Sequence, residues 1–258
     1  MKVAAISIAG LALFLWPFAA SDAPPAAATL ALSIGVVAVL VFVEASARTL
    51  DARCFALLAA IAAIDAGLRL VLVTGLGGFS PMFFLILMAG YVYGPSYGFL
   101  AGSVALLASA VATGGIGPWL PYEMFGCGFV GLIAGLAGLR RSGRVTWRDV
   151  VVLALVGAVT GFAYGALLDV WDWTTFYRNV PGFGWQPGLT PPAALARFAR
   201  FYVATSLVYD GFRAAGNVIA VAVLGAPVLA GLVRIRSRFT VRVLRPGAQH
   251  AGGAISPT

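Results

Sequence analysis

The sequence is poor in charge and almost free of histidine. Only 10% of its 258 residues are charged, whereas soluble globular domains carry about 25%. The one histidine, His250, lies in a polar C-terminal segment, which excludes a Ser-His pair, a two-histidine metal site and an H-E-x-x-H zinc helix. There is also no G-x-x-x-x-G-K-[ST] phosphate loop, so the chain is not expected to hydrolyse ATP by itself.

Thiols are equally scarce, since Cys54 and Cys127 are the two cysteines. Their spacing matches no metal-binding pattern, and no histidine lies near either of them. We expect both to be small buried apolar residues. The sequence therefore predicts no cofactor and no metal site.

Apolar residues dominate instead. They make up 61% of the chain, and the mean hydropathy is +0.96, which predicts an all-α integral membrane protein because a span needs about 20 apolar residues. The run 81–94 reaches that length only if it tilts or extends across the Gly94-Pro95 break. The eight apolar runs cover 3–20, 27–47, 53–74, 81–94, 96–113, 121–139, 149–172 and 201–233.

Basic residues predict the orientation of these helices. If the N-terminus is cytoplasmic, twelve Lys and Arg residues face inside and three, Arg178, Arg197 and Arg200, face outside. The formal charge of +8 then reflects topology in a cell membrane rather than nucleic-acid binding, and the C-terminus is expected in the cytoplasm.

The first apolar run has two interpretations. Lys2, the run and the small residues after it fit either a retained span or a secretory signal peptide with a small-residue cleavage site. We favour the retained span. The basic, polar segment 237–258 after the last run is expected to be a cytoplasmic tail.

Glycines spaced by four residues predict close helix packing. The sets are Gly98 and Gly102, Gly131 and Gly135, and Gly157, Gly161 and Gly165. Such spacing places small residues on one helix face, so that neighbouring backbones can approach closely. The pattern indicates a tightly packed bundle and carries no information on function.

Charged and polar residues within the apolar runs are candidates for a site, because such groups are costly in a bilayer. Asp65 and Arg69 lie four apart and form either an intrahelical ion pair or a ligand contact. On the last run, polar residues recur at steps of three and four, which places them on one helix face. This stripe is either a hydrogen-bonded seam between helices or a cavity wall. Its members are Tyr202, Ser206, Tyr209, Asp210, Arg213 and Asn217.

The connections predicted outside share an unusual composition. Residues 74–81, 113–121 and 171–192 are all rich in glycine, proline and aromatic residues, a combination suited to lids over a small-molecule pocket. Glu123 opens a helix at the same level, either as a favourable acid in a first helical turn or as a ligand contact. We expect the substrate contacts to be Arg69, Trp119, Glu123, Asp169, Trp173, Tyr209, Asp210, Arg213 and Asn217.

Two motifs carry a family resemblance. G-P-W-L-P-Y-E-M over 117–124 and Y-G-P-S-Y-G-F over 93–99, within a region of about 53–233, resemble the substrate-binding membrane subunits (S components) of energy-coupling factor (ECF) vitamin transporters. The resemblance implies a six-helix fold with three outer lids. It therefore divides the chain into an N-terminal transmembrane hairpin over 1–50 and a six-helix core over 51–236. It also implies docking of the first core helix, through alanines spaced by four, onto a transmembrane coupling subunit that carries two ATPase subunits. Here Ala56, Ala59, Ala60 and Ala63 match those alanines.

The resemblance implies a non-enzymatic subunit that captures a vitamin or related micronutrient. The polar and aromatic residues suit a heterocyclic ligand such as a corrinoid, a flavin or a queuosine-like compound, and the large aromatic lids favour a corrinoid. Two alternatives stay open. One is a self-sufficient proton-coupled transporter and the other is an intramembrane enzyme, both using Asp65, Glu123 and Asp210. The extra N-terminal helices and the long outer loop with Trp185 depart from the family pattern.

Overall fold

The described part of the chain folds entirely into helices and their connections. The computed structural model describes residues 2–20, 22–46, 52–71, 82–141 and 143–239. The helices in this part are α1 (Lys2–Leu15), a short 3-10 helix (Trp16–Phe18), α2 (Ala26–Ser46), α3 (Ala52–Val71), α4 (Met82–Tyr93), α5 (Pro95–Thr113), α6 (Leu120–Gly138), α7 (Trp147–Thr175), α8 (Pro191–Thr205) and α9 (Leu207–Phe239). The prediction of an all-α protein is confirmed.

Five of the described helices are long and apolar enough to cross a membrane. They include α2, with a mean hydropathy of 2.6 over its apolar window, and the long helices α7 and α9. The remaining two are α5 and α6, and the shorter apolar helix α4 follows the same pattern over 12 residues. The helices α3, α4, α5, α6, α7 and α9 correspond to the predicted core.

The last predicted helix differs from the structure. We expected one helix over 201–233, but α8 ends at Thr205 and α9 begins at Leu207. Ser206 between them has φ −119° and ψ −26°, which interrupts the helical path. Tyr202 therefore lies on a separate short helix, and the predicted polar stripe is shared by two elements.

The glycines of α5 and α6 allow their backbones to touch. A Cβ added at Gly131 would lie 2.0 Å from the carbonyl oxygen of Gly98, and one at Gly102 would lie 2.2 Å from that of Cys127. No larger side chain fits at such distances. Ser103 closes the same contact by donating a hydrogen bond to the Met124 carbonyl at 3.0 Å. The four-residue glycine spacing thus marks this helix pair.

The helices α7 and α9 form a second close pair with a polar seam. Gly157 of α7 faces Asn217 of α9, and Gly165 faces the Asp210 carboxylate. The Asn217 side-chain amide donates a hydrogen bond to the Gly157 carbonyl at 2.8 Å. Here glycines on one helix make room for polar side chains on the other.

The N-terminal hairpin packs directly on the core. Phe14 of α1 is buried, with its ring edge-to-face against Tyr122 of α6 at 5.5 Å between centroids. Gly10 lies so close to α6 that an added Cβ would be 2.3 Å from the ring of Phe129. Thus α1 packs closely against α6.

The ends of several helices meet at one end of the bundle, which we call the lid end. It contains residues 16–20 and 22–25 between α1 and α2 together with the first turn of α2, the connection 114–119 between α5 and α6, and residues 171–190 at and after the end of α7. At the opposite end, Thr146 caps α7, and Asp149 accepts a hydrogen bond from the Tyr91 hydroxyl at 2.8 Å. The predicted lid 74–81 lies outside the described residues.

Candidate functional site

Two neighbouring cavities open at the lid end. The larger measures about 300 Å³ and the smaller about 170 Å³. Tyr122 and Trp171 line both, so their side chains form the partition. The larger cavity is also lined by Trp16, Ala23, Pro24, Ala26, Thr29, Pro118, Thr174, Thr175 and Arg178, and the smaller by Trp119, Glu123, Leu168 and Asp172.

The smaller cavity combines aromatic walls with two acids. Trp119 packs edge-to-face on Trp171 with 5.7 Å between ring centroids, and its side chain is 38% exposed. Glu123 lies in the first turn of α6, where its backbone N–H bonds to the Trp119 carbonyl at 3.1 Å. Since Asp172 of α7 also lines this cavity, the cavity favours a ligand portion that donates hydrogen bonds.

The larger cavity has a different polarity. The Tyr122 hydroxyl accepts a hydrogen bond from the indole nitrogen of Trp16 at 3.0 Å, so its own proton is available to a further acceptor. Arg178 lies at the rim, with its guanidinium 5.1 Å from the centre of the Trp185 ring. A carbonyl, carboxylate or phosphate on a ligand would suit these donors.

A second hydrophobic cluster at the lid end holds the long loop in place. Trp173, Trp185, Ala194 and Phe201 form its buried centre. The Trp173 indole donates to the Phe183 carbonyl at 2.7 Å, and Arg197 of α8 donates to that of Gly184 at 3.1 Å. This cluster joins α7, residues 176–190 and α8 into one packed unit.

The structure brings together only some of the residues predicted to bind substrate. Trp119 and Glu123 line the smaller cavity. Trp173 is fully buried in the second cluster and lines neither cavity. Asp169 is buried and lines neither cavity. The side chain of Arg69 lies outside the described residues.

The four predicted residues on α9 lie away from both cavities. Asp210 forms an ion pair with Arg213, and Arg213 also donates to the Gly161 carbonyl at 3.4 Å. Asn217 bonds to Gly157 within the same α7–α9 seam, whereas Tyr209 is largely exposed. The sequence left two alternatives for this stripe, a hydrogen-bonded seam and a cavity wall. The contacts of Asp210, Arg213 and Asn217 are those of a seam, and a role in substrate binding stays a prediction.

Sequence reasoning missed two residues that shape the site, Tyr122 in the partition and Trp16 on the wall contributed by the N-terminus. Trp171, the other residue of the partition, is the first residue of the predicted lid 171–192. Tyr122 lies within the P-Y-E-M segment and follows the helix-starting Pro121, a signal that was present but unused. For Trp16 no sequence signal was available, because the packing partner of α1 does not follow from its apolar pattern.

Comparison with protein families decides which class this arrangement belongs to. The family model for the ECF transporter, substrate-specific component, matches residues 54–225. The chain belongs to this family. A search of curated proteins and a search of solved structures found no significant match.

Membership in the ECF family confirms the resemblance. The matched region begins in α3 and ends in α9, close to the 53–233 expected from the motifs. ECF substrate-specific components work with a membrane coupling subunit and ATPase subunits. The chain is therefore a multi-pass membrane protein of a transporter family, and α1 and α2 precede the matched region.

Proposed function

We propose that the chain captures a vitamin or related micronutrient at its lid end and delivers it for ATP-driven uptake through partner subunits. The observation that carries this proposal is the pair of cavities divided by Tyr122 and Trp171. Both cavities lie beside connections rich in glycine and proline and have aromatic side chains in their walls, as expected for a small-molecule site. The distribution of basic residues supports a lid end that faces outside.

The polarity of the two cavities supports a ligand with two chemically different ends. A donor-rich group suits Glu123 and Asp172 in the smaller cavity, while an acceptor suits Tyr122 and Arg178 in the larger one. Aromatic rings line both spaces, and planar heterocycles stack well on such surfaces. The proposed substrate is therefore a planar heterocycle that carries both donors and acceptors.

Cavity size favours a modest ligand over the corrinoid suggested by the sequence. The larger cavity is about 300 Å³, near the lower limit of small-molecule pockets, which span about 300–1,000 Å³. A corrin ring with its axial ligands needs far more space. A flavin or a queuosine-like compound is the better match to these walls.

The exposed side of α3 supports the proposed docking to a coupling subunit. Ala56, Ala59, Ala60 and Ala63 are all exposed, whereas Ala62 on the inner face is buried. Small residues on an exposed helix face permit close approach of another transmembrane helix. The N-terminal hairpin leaves these four alanines uncovered.

Binding and transport by the purified protein test the proposal. The chain is reconstituted in nanodiscs, and tryptophan fluorescence is titrated with riboflavin, queuosine and cyanocobalamin. We expect saturable quenching by a planar heterocycle, and uptake into vesicles only with the coupling subunit, the ATPases and ATP. Uptake by the chain alone, driven by a proton gradient, would favour the secondary transporter instead.

A further inference from the structure

We infer that the N-terminal hairpin is a working part of the substrate site: its residues at 16, 23, 24, 26 and 29 form one wall of the larger cavity, and Trp16–Phe18 form a latch that holds the loop 176–190 beside that cavity. This inference rests on the proposed function of the lid end as the substrate site. It assigns a role to α1 and α2, which precede the region matched by the family model.

The lining of the larger cavity supports the first half of the inference. Its residues come from two sides, with Tyr122, Trp171 and Thr174 on the core. The N-terminal side contributes Trp16, Ala23, Pro24, Ala26 and Thr29. Without this second side the core residues would form an open surface, so the hairpin encloses the space.

Three contacts between the short helix Trp16–Phe18 and the second cluster support the latch. The Trp185 indole donates a hydrogen bond to the Pro17 carbonyl at 3.1 Å. Phe18 stacks on Trp173 at 5.8 Å, and Trp16 packs edge-to-face on Trp185 at 5.4 Å between centroids. The two contacts of Trp185 must separate before the loop can move away from the N-terminal segment, while the contact with Trp173 fixes Phe18 on α7.

Packing of α1 on α6 fixes the position of Trp16–Phe18, which follow α1 directly. Phe14 is buried against Tyr122, and Gly10 lies against the rings of Phe125 and Phe129. The Trp16 indole is further oriented by its hydrogen bond to the Tyr122 hydroxyl. Tyr122 thus connects the hairpin directly to the partition between the two cavities.

This geometry assigns a part of the ligand to the hairpin. The wall formed by Trp16 is aromatic, and the donors nearest to it are the Tyr122 hydroxyl and Arg178 at the rim. The larger cavity therefore takes the planar, acceptor-bearing part of the substrate. The hairpin helps to determine which substrates fit and how quickly they leave.

A ligand-free accessibility experiment tests the wall. Thr174 lines the larger cavity and is 8% exposed, so Thr174→Cys reports access when the full-length protein in nanodiscs is treated with the charged thiol reagent MTSET. Ala23→Trp fills the cavity from the linker, and we expect it to slow the labelling of this cysteine about tenfold. Ala20→Trp is the matched control, because Ala20 lies in the same linker but does not line the cavity.

The latch is tested with the same reporter. Trp16→Ala should speed labelling about tenfold by favouring local opening, whereas Leu15→Ala, at a neighbouring exposed position, should leave the rate unchanged. The chain with only its native cysteines gives the background. Equal labelling rates in the Ala23→Trp and Ala20→Trp proteins would overturn the inference. So would an intact mass showing that the functional protein lacks residues 1–20.

A binding measurement separates this inference from the proposed function. If riboflavin or queuosine quenches the wild-type fluorescence, Ala23→Trp should weaken that binding at least tenfold relative to Ala20→Trp. Binding that is equal in both variants overturns the role of the hairpin but leaves the proposed function intact. If no compound binds the wild type while the labelling rates differ as expected, the proposed function fails and the enclosing wall stands.

Discussion

The indole nitrogen of Trp185 donates a hydrogen bond to the backbone carbonyl of Pro17, 168 residues earlier in the chain and 3.1 Å away. Trp185 is 1% exposed, and its ring also contacts Trp16. This side chain thus ties the long loop to the N-terminal segment. The two departures from the family pattern, the extra helices and the long loop, meet at this residue.

Replacement of Trp185 should destabilise the protein strongly. We expect Trp185→Ala to lower the free energy of unfolding by about 3–5 kcal/mol, as for other buried aromatic residues. Trp185→Phe keeps part of the ring packing and loses the hydrogen bond, at about 1–2 kcal/mol. Thermal unfolding in detergent measures both, with Trp147→Ala as the control because Trp147 is 71% exposed. Equal stability of Trp185→Ala and Trp147→Ala would contradict the burial of Trp185.

Much of the fold could be predicted because it depends on local properties. Apolar length located the membrane helices, and glycine spacing marked both close helix pairs, such as Gly98 against Gly131. The break at Ser206 could not be predicted in the same way. The residues on both sides of it form helix readily, and α8 departs from α9 because Phe201 and Ala194 pack into the second cluster.

The site was predictable at the level of loops but less so at the level of side chains. Glycine, proline and aromatic content identified the lid end, and Trp119 and Glu123 do line a cavity there. Helical periodicity gave Asp210, Arg213 and Asn217 a common face, but it cannot tell whether a cavity or another helix lies opposite. In the structure the glycines of α7 lie opposite this face. Arg213, for example, bonds to Gly161, which is 52 residues earlier in the sequence.

Loss of Arg213 should act mainly through stability. Its guanidinium pairs with Asp210, which is 1% exposed, so Arg213→Ala leaves a buried carboxylate without its cation and should cost about 3–5 kcal/mol. Removing both charges with Asp210→Asn and Arg213→Met should recover most of this loss. Thermal unfolding of the single and double variants measures the difference. A stable Arg213→Ala protein with weakened ligand binding would instead support the substrate contact that the sequence predicted.

The contact between α5 and α6 should tolerate no added methyl group. A Cβ at Gly131 would lie 2.0 Å from the Gly98 carbonyl oxygen, so Gly131→Ala must push the two helices apart and should prevent recovery of folded protein or cost several kcal/mol. Gly231→Ala in α9 is the matched control, because no atom lies within 4 Å of its added Cβ. Size-exclusion profiles and unfolding temperatures compare the two variants. Normal folding of Gly131→Ala would show that the helices are further apart than described.

Trp119 should affect ligand binding more than folding. Its side chain is 38% exposed and packs edge-to-face on Trp171, so Trp119→Ala removes a cavity wall without opening the core. We expect about two- to tenfold weaker binding of the planar ligand, since an aromatic contact of this kind contributes about 0.5–1.5 kcal/mol beyond its buried area. Quenching titrations measure the affinity, with Trp147→Ala as a size-matched control. Unchanged affinity would remove the smaller cavity from the proposed site.

Docking to a coupling subunit should depend on the exposed alanines of α3. Ala60→Trp places a large side chain on the face formed by Ala56, Ala59 and Ala63, which are all exposed, so close approach of a partner helix is blocked. Co-purification with the coupling and ATPase subunits should fail, while ligand binding by the isolated chain stays unchanged because the lid end is untouched. Ala222→Trp on the exposed side of α9 controls for bulk at another membrane-facing position. An intact complex with Ala60→Trp would move the docking surface to another helix, and the exposed flank of α9 would be the next to test.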